Sequence, residues 1–311
     1  MYKKISIFFL CLFTCMLCGC MGRKDSDDKK LKVVTTIFAP YDYVREIAGD
    51  EVSVSMLLKP GEESHSFDPS PQDIIEINEC DLFIYNGGEN DEWIDDVLDS
   101  VNDDVQTLRM MDCIDDLYIE EEIFGEEHGH SHKEHEEYDE HVWASPVNAV
   151  KIVNGIAAKL SKLDSAHSDI YESNRKEYTD RLLYICSEIE DIVANSKRKL
   201  IVFGDRFPLR YFVEEFGLDY YAAFPGCAED TETSPQVLVK LIDIVKKNDV
   251  PVVFKTELSN GNIAKTLSEA TGAKVRTFYT CHNITKDDYE NGIGYIDMMG
   301  SNAELLREAL N

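Results

Sequence analysis

Residues 169–196 read DIYESNRKEYTDRLLYICSEIEDIVANS. The stretch has no Pro and no Gly. Tyr171, Tyr178, Leu182, Ile185, Ile189 and Ile192 fall mostly at three- and four-residue steps, the spacing of one helix face. The pattern predicts an uninterrupted helix of about 42 Å, at about 1.5 Å per residue. Its flanks decide how to read it. Upstream, β-rich apolar runs at 31–37, 52–58, 81–85 and 104–108 alternate with helical patterns at 41–49, 71–79 and 91–99. Downstream, runs at 199–203, 218–224, 250–255 and 274–279 alternate with helical patterns near 208–216, 235–247 and 260–271. Such alternation with short connections predicts parallel sheets flanked by helices. The expectation is an α/β fold of two lobes, 31–168 and 197–311, each with a mainly parallel sheet, joined by one long rigid helix. The competing reading makes 169–196 a core helix inside a single domain.

The chain begins MYKKISIFFLCLFTCMLCGC. Two lysines precede an apolar run too short for a comfortable membrane span, which reads as a signal peptide over 1–19. Leu17-Cys18-Gly19-Cys20 resembles a bacterial lipobox, so Cys20 is expected to carry lipid, with 20–30 as a polar tether. Four of the nine cysteines lie in this leader. Disulfides are permitted outside the cytoplasmic membrane. Cys227 and Cys281 follow strands of the second lobe at the same end, and are expected either to pair or to lie idle. The net charge of −29 argues against nucleic acid and favours cationic partners.

Histidine is unevenly placed. Five of the eight lie in EEHGHSHKEHEEYDEH (126–141). His65 lies in PGEESHSFDPSPQD (60–73), between a strand and a helix start marked by Ser70, Pro71 and Asp73. His141 lies just before Ser145-Pro146, another helix start, with a helix expected over 147–160. Asp205 and Arg206 follow the first strand of the second lobe, where α/β sheets bind ligands. Cys281 and His282 follow its last strand, and both are competent zinc ligands. No HExxH, P-loop, GxGxxG or GxSxG pattern occurs.

Together, PGEESHSFDPSPQD, DEHVWASP, the long helix, FVEEFGLDYYAAF, VPVVFKTE and the late GYIDMM resemble the zinc-type substrate-binding lipoproteins of bacterial zinc and manganese ABC importers, over nearly the whole chain after the leader. The resemblance implies two lobes joined by a rigid helix, with one metal ion in the cleft between them. It places His65 and His141 as ligands. It also implies a third ligand just after the first strand of the second lobe, but there the chain reads GDRFPLRYF, which against the family pattern puts Gly204 in the ligand place with two residues inserted. GDRFP, AAFPGC and CHN mark a distinct branch. His282 is the expected third ligand, with Asp205, Glu257 and Cys281 as weaker candidates.

The functional expectation is capture of Zn2+ outside the cytoplasmic membrane and delivery to an ABC permease and its ATPase by a lipid-anchored monomer, without covalent chemistry. Imidazole favours zinc over manganese. His128, His130, His132 and His135 are expected to form an auxiliary metal-catching loop, or else a plain solvated one. The rival readings are a manganese or iron carrier, a zinc hydrolase with Asp205 or Glu257 as base, and a surface adhesin.

Overall fold

The computed structural model describes residues 30–62, 67–88, 91–102, 104–120, 138–226 and 233–311. The expectations for the leader, Cys20, His65, the four loop histidines 128–135 and Cys227 lie outside these residues.

The first lobe runs β1 (Leu31–Thr35), α1 (Phe38–Ala48), β2 (Val52–Met56), α2 (Pro71–Glu79), β3 (Leu82–Tyr85), α3 (Glu92–Leu98) and β4 (Gln106–Arg109). Two long helices follow, α4 (Pro146–Leu163) and α5 (Ser168–Ala194). The second lobe runs β5 (Leu200–Phe207), α6 (Arg210–Phe216), β6 (Asp219–Pro225), α7 (Pro235–Lys247), β7 (Val252–Lys255), α8 (Asn262–Thr271) and β8 (Lys274–Thr277). Two further helices close the chain, α9 (Lys286–Glu290) and α10 (Tyr295–Ala309). The sheets are ordered β2-β1-β3-β4 and β6-β5-β7-β8, and all their pairings are parallel. The fold is thus two α/β lobes, each a four-stranded parallel sheet flanked by helices.

Local chemistry explains the helix starts. Ser70 accepts from the Asp73 amide while Asp73 accepts from the Ser70 amide, a reciprocal cap with Pro71 at the first helical position. Ser145 caps α4 one-way, its hydroxyl accepting from the amides of Val147 and Asn148, with Pro146 at the first helical position. Both caps hold a loop against the end of a helix.

Parallel strands bury both faces, and alternate residues separate the layers. Val34 and Phe83 face α2 and α3 through Ile77, Ile94 and Val97. Val202 and Val253 face α7 and α8 through Leu241 and Leu267. The opposite faces of both sheets meet in one continuous core. Val33 and Ile84 of the first sheet, and Phe203 and Phe254 of the second, share it with α1, α4, α5 and α10. All six α5 residues singled out by spacing are buried in that shared core. The long helix therefore does more than span a gap, because both lobes pack on it.

Candidate metal centre

Each sheet has a switch point where successive crossovers leave in opposite directions, between β1 and β3 and between β5 and β7. Loops diverge there and leave a crevice at the carboxyl ends of the strands. The loop after β8 is stitched into the first crevice. The Phe38 amide donates to the His282 carbonyl at 3.1 Å, and the Gly61 amide donates to the Ile284 carbonyl at 2.8 Å. Trp143 Nε1 donates to the Thr280 carbonyl at 3.1 Å, and Tyr295 Oη returns a bond to the Trp143 carbonyl at 2.7 Å.

His141 is fully buried at the entrance to a short 3-10 turn, Val142–Ala144, that runs into α4. Asp139 Oδ1 accepts from the His141 amide at 2.8 Å and lies 3.0 Å from its Nδ1. That contact orients the ring and directs Nε2 to any ligand, the arrangement common behind metal-bound histidines. Burial lowers the proton affinity of the imidazole, but the charge and hydrogen bond of Asp139, with Glu140 and Glu120, outweigh it and the net shift is upward. Tyr211 of α6 reaches across from the second lobe to donate to the Asp139 carbonyl at 2.8 Å.

His282 comes from the second lobe. Its ring centroid is 5.7 Å from that of His141, and Trp143 backs both rings at 5.3 and 4.7 Å. The turn that delivers it is unusual, for Cys281 has φ +58°, a left-handed conformation that costs a non-glycine residue about 1 kcal/mol. Glu257 holds that turn. Its carboxylate accepts from the amides of Thr280 and Cys281, at 3.0–3.1 Å and 3.0 Å, and from Thr280 Oγ1 at 2.9 Å. Burial pushes the Glu257 carboxyl up to about 7 against those hydrogen bonds.

The weaker candidates are directed elsewhere. Glu257 spends both oxygens on the turn. Cys281 is a free thiol, fully buried, with Glu257 and Asp42 as the charges nearest to it. The expected pairing with Cys227 involves a residue outside those described. Asp205 Oδ2 accepts from the Thr256 amide at 3.0 Å and from Thr256 Oγ1 at 3.2 Å, tying β5 to the end of β7. Among the described residues, no three His, Cys, Asp or Glu side chains converge as a metal cage. A cavity of about 220 Å³ is lined by Asp205, Arg206, Thr256, Glu257 and Asn283 and reaches His282.

Gly204 lies within β5, and crowding there explains why the position carries no side chain. A Cβ there would lie 2.5 Å from the Ala264 backbone in the first turn of α8. The strand also shifts register between Phe203 and Arg206, which absorbs extra residues as a bulge. No side chain fits at position 204 unless α8 moves.

The family model "Zinc-uptake complex component A periplasmic" matches residues 33–309. The chain belongs to this family. The zinc-uptake family member of Bacillus subtilis described as "High-affinity zinc uptake system protein ZnuA" is 32% identical over 321 residues, covering 100% of this chain and 99% of that protein. "Zinc-binding lipoprotein AdcA" of Streptococcus pneumoniae is 29% identical, covering 98% of this chain, which spans only 61% of the AdcA length. The crystal structure of the Zn(II)-bound ZnuA-like domain of that AdcA superposes with a TM-score of 0.73 at 27% identity, covering 90% of this chain and 99% of the domain. Zinc-uptake family members are solute-binding components rather than enzymes.

Trp143, Asp139 and Glu257 do as much to shape the centre as the histidines. Of these three, the sequence reading named only Glu257, as a rival ligand or base.

Proposed function

We propose that this chain captures Zn2+ outside the cytoplasmic membrane and hands it to an ABC permease with its ATPase. The observation that carries this reading is the meeting of His141 and His282, one from each lobe, 5.7 Å apart against a shared tryptophan. Two imidazoles from opposite lobes suit a borderline-soft ion that the protein must bind tightly yet release. The proposed ligands are His65, His141 and His282. Asp139 presents His141 with its Nδ1 side engaged. Glu257 sets the turn that presents His282.

Zinc enters between the lobes and exchanges hydration water for neutral imidazole nitrogens. Protons compete for the same atoms, so binding weakens in acid. Lipid on Cys20 holds the protein at the outer face of the membrane, and it works as a monomer. His128, His130, His132 and His135 act as a weak zinc catcher that feeds the cleft.

Competitive chelator titration tests the reading. His65→Ala and His141→Ala each lower zinc affinity well over tenfold, whereas deletion of residues 126–137 leaves the tight site and removes only weak extra binding. Unchanged affinity in both substitutions contradicts the ligand assignment. Loss of the tight site on deletion contradicts the catcher role.

A further inference from the structure

We propose that Asn283 is a positioning residue for zinc, a latch that fixes the His282 loop of the second lobe against the first lobe. The proposal rests on the zinc reading above and adds how the two halves of the site are held in register.

The latch begins with a turn encoded by sequence. Lys59-Pro60-Gly61-Glu62 closes through the Glu62 amide to the Lys59 carbonyl at 3.0 Å, and Gly61 has φ +83°. Pro at the second position and a left-handed Gly at the third are the requirements of a type II turn. Such a turn is stiff, and its carbonyls point outward from a defined frame. Three residues beyond Glu62, the chain carries His65.

Asn283 reads that frame from the other lobe. Its side-chain amide donates to the Lys59 carbonyl at 2.9 Å and to the Glu62 carbonyl at 2.8 Å, spending both hydrogens on the two ends of one turn. Its Oδ1 accepts from the Ile284 amide at 2.8 Å, which fixes the amide plane. The residue is 2% exposed, so water does not replace these bonds cheaply. The bonds from the Phe38 amide to the His282 carbonyl and from the Gly61 amide to the Ile284 carbonyl flank the side chain on either side. One amide thus sits at the centre of a short seam whose first residue is His282. A shift of this seam displaces His282 from His141, because His282 is part of the seam through the bond its carbonyl accepts from the Phe38 amide.

Neither Asp nor Ala reproduces the latch. Asp is isosteric and keeps the bond from the Ile284 amide, but it presents oxygen to two carbonyl oxygens. Ala keeps nothing of the side chain and adds no charge. Both variants are expected to lower zinc affinity about tenfold or more, the scale on which groups that orient ligands act, and to speed zinc release into excess chelator. The d–d spectrum of bound Co(II) is expected to change shape, which a purely structural loss would not produce. Melting of the metal-free variants reports folding separately, and affinity is read well below the lower melting point.

The decisive arm is a cycle with His282→Ala. If Asn283 acts by placing His282, Asn283→Ala costs about tenfold in the wild-type background and nothing further in His282→Ala. Equal losses in both backgrounds overturn the latch, as does unchanged affinity in a folded Asn283→Asp or Asn283→Ala protein. If His282→Ala itself leaves zinc binding intact, the ligand reading fails instead, and the two failures are distinguishable. Should Asn283→Ala not fold, the isosteric Asn283→Asp carries the same cycle.

Discussion

At the scale of single residues, the centre depends on groups that touch no metal. Asp139 uses one oxygen for the His141 amide and its Nδ1, at 2.8 and 3.0 Å. Replacing it with Asn keeps the volume but removes the charge. Zinc affinity at neutral pH is expected to fall by about 10- to 100-fold. The pH below which affinity begins to fall should move down, because Asp139 is the main influence raising the proton affinity of His141. Affinity measured against pH checks both, and a pH midpoint that stays in place while affinity falls would show that Asp139 acts only through geometry. Sequence reading reached His141 and His282 because each follows a strand or precedes a capped helix. It named Glu257 only as a rival ligand or base, and did not reach Asn283. Their roles consist of bonds to Thr280, Cys281, Lys59 and Glu62, and no local pattern announces a partner that is 221 or 224 positions away.

At the scale of elements, the eight strands and the capped helices were legible, since apolar runs, Ser-Pro starts and helical spacing are local signals. The predicted α2 and α7 match their observed limits, Pro71–Glu79 and Pro235–Lys247. Among the features that escaped, two shape the packing. Helix α10 buries Met298, Ala303 and Leu306, yet Gly300 in its middle weakens the helical pattern in sequence. Strand β5 runs on to Phe207 because the bulge after Phe203 lets pairing with β6 resume at Arg206. That bulge and the bare Cα of Gly204 let α8 pack against β5. Gly204→Ala is therefore expected to destabilise the fold by about 1–3 kcal/mol through overpacking, read as a lower urea midpoint. A midpoint equal to wild type would show that α8 can retreat, and would remove the steric reason for the bare position.

Across the whole molecule, the two lobes behave as one packed body. Asp42 shows how they are joined. It lies in α1 and is fully buried, yet it accepts from the Tyr295 amide of α10 at 2.8 Å and from Tyr178 Oη of α5 at 3.3 Å, with Arg45 at 2.7 Å. Burial pushes its carboxyl up from 3.8 to about 6 in spite of Arg45 and those bonds. The folded state therefore holds this proton more tightly than the unfolded chain does. The stabilisation is complete below about pH 4 and is lost as pH rises through about 6, a change of about 3 kcal/mol. Asp42→Asn removes the titration, so wild type should gain on the variant as pH falls from 7 to 4 in paired urea melts. Parallel profiles would mean that Asp42 is solvated or fully compensated by Arg45. A shared core with a junction of this kind leaves little room for wide hinge opening.

The proposed function stands or falls with one zinc ion between the lobes. Anomalous scattering at the zinc edge, from crystals of the chain without residues 1–19 grown with one equivalent of zinc, would locate that ion. A single strong peak within bonding distance of His65, His141 and His282 is expected. A principal peak on the histidines of residues 128–135, or one in the cleft held by Asp205 and Glu257 without His141, would contradict it.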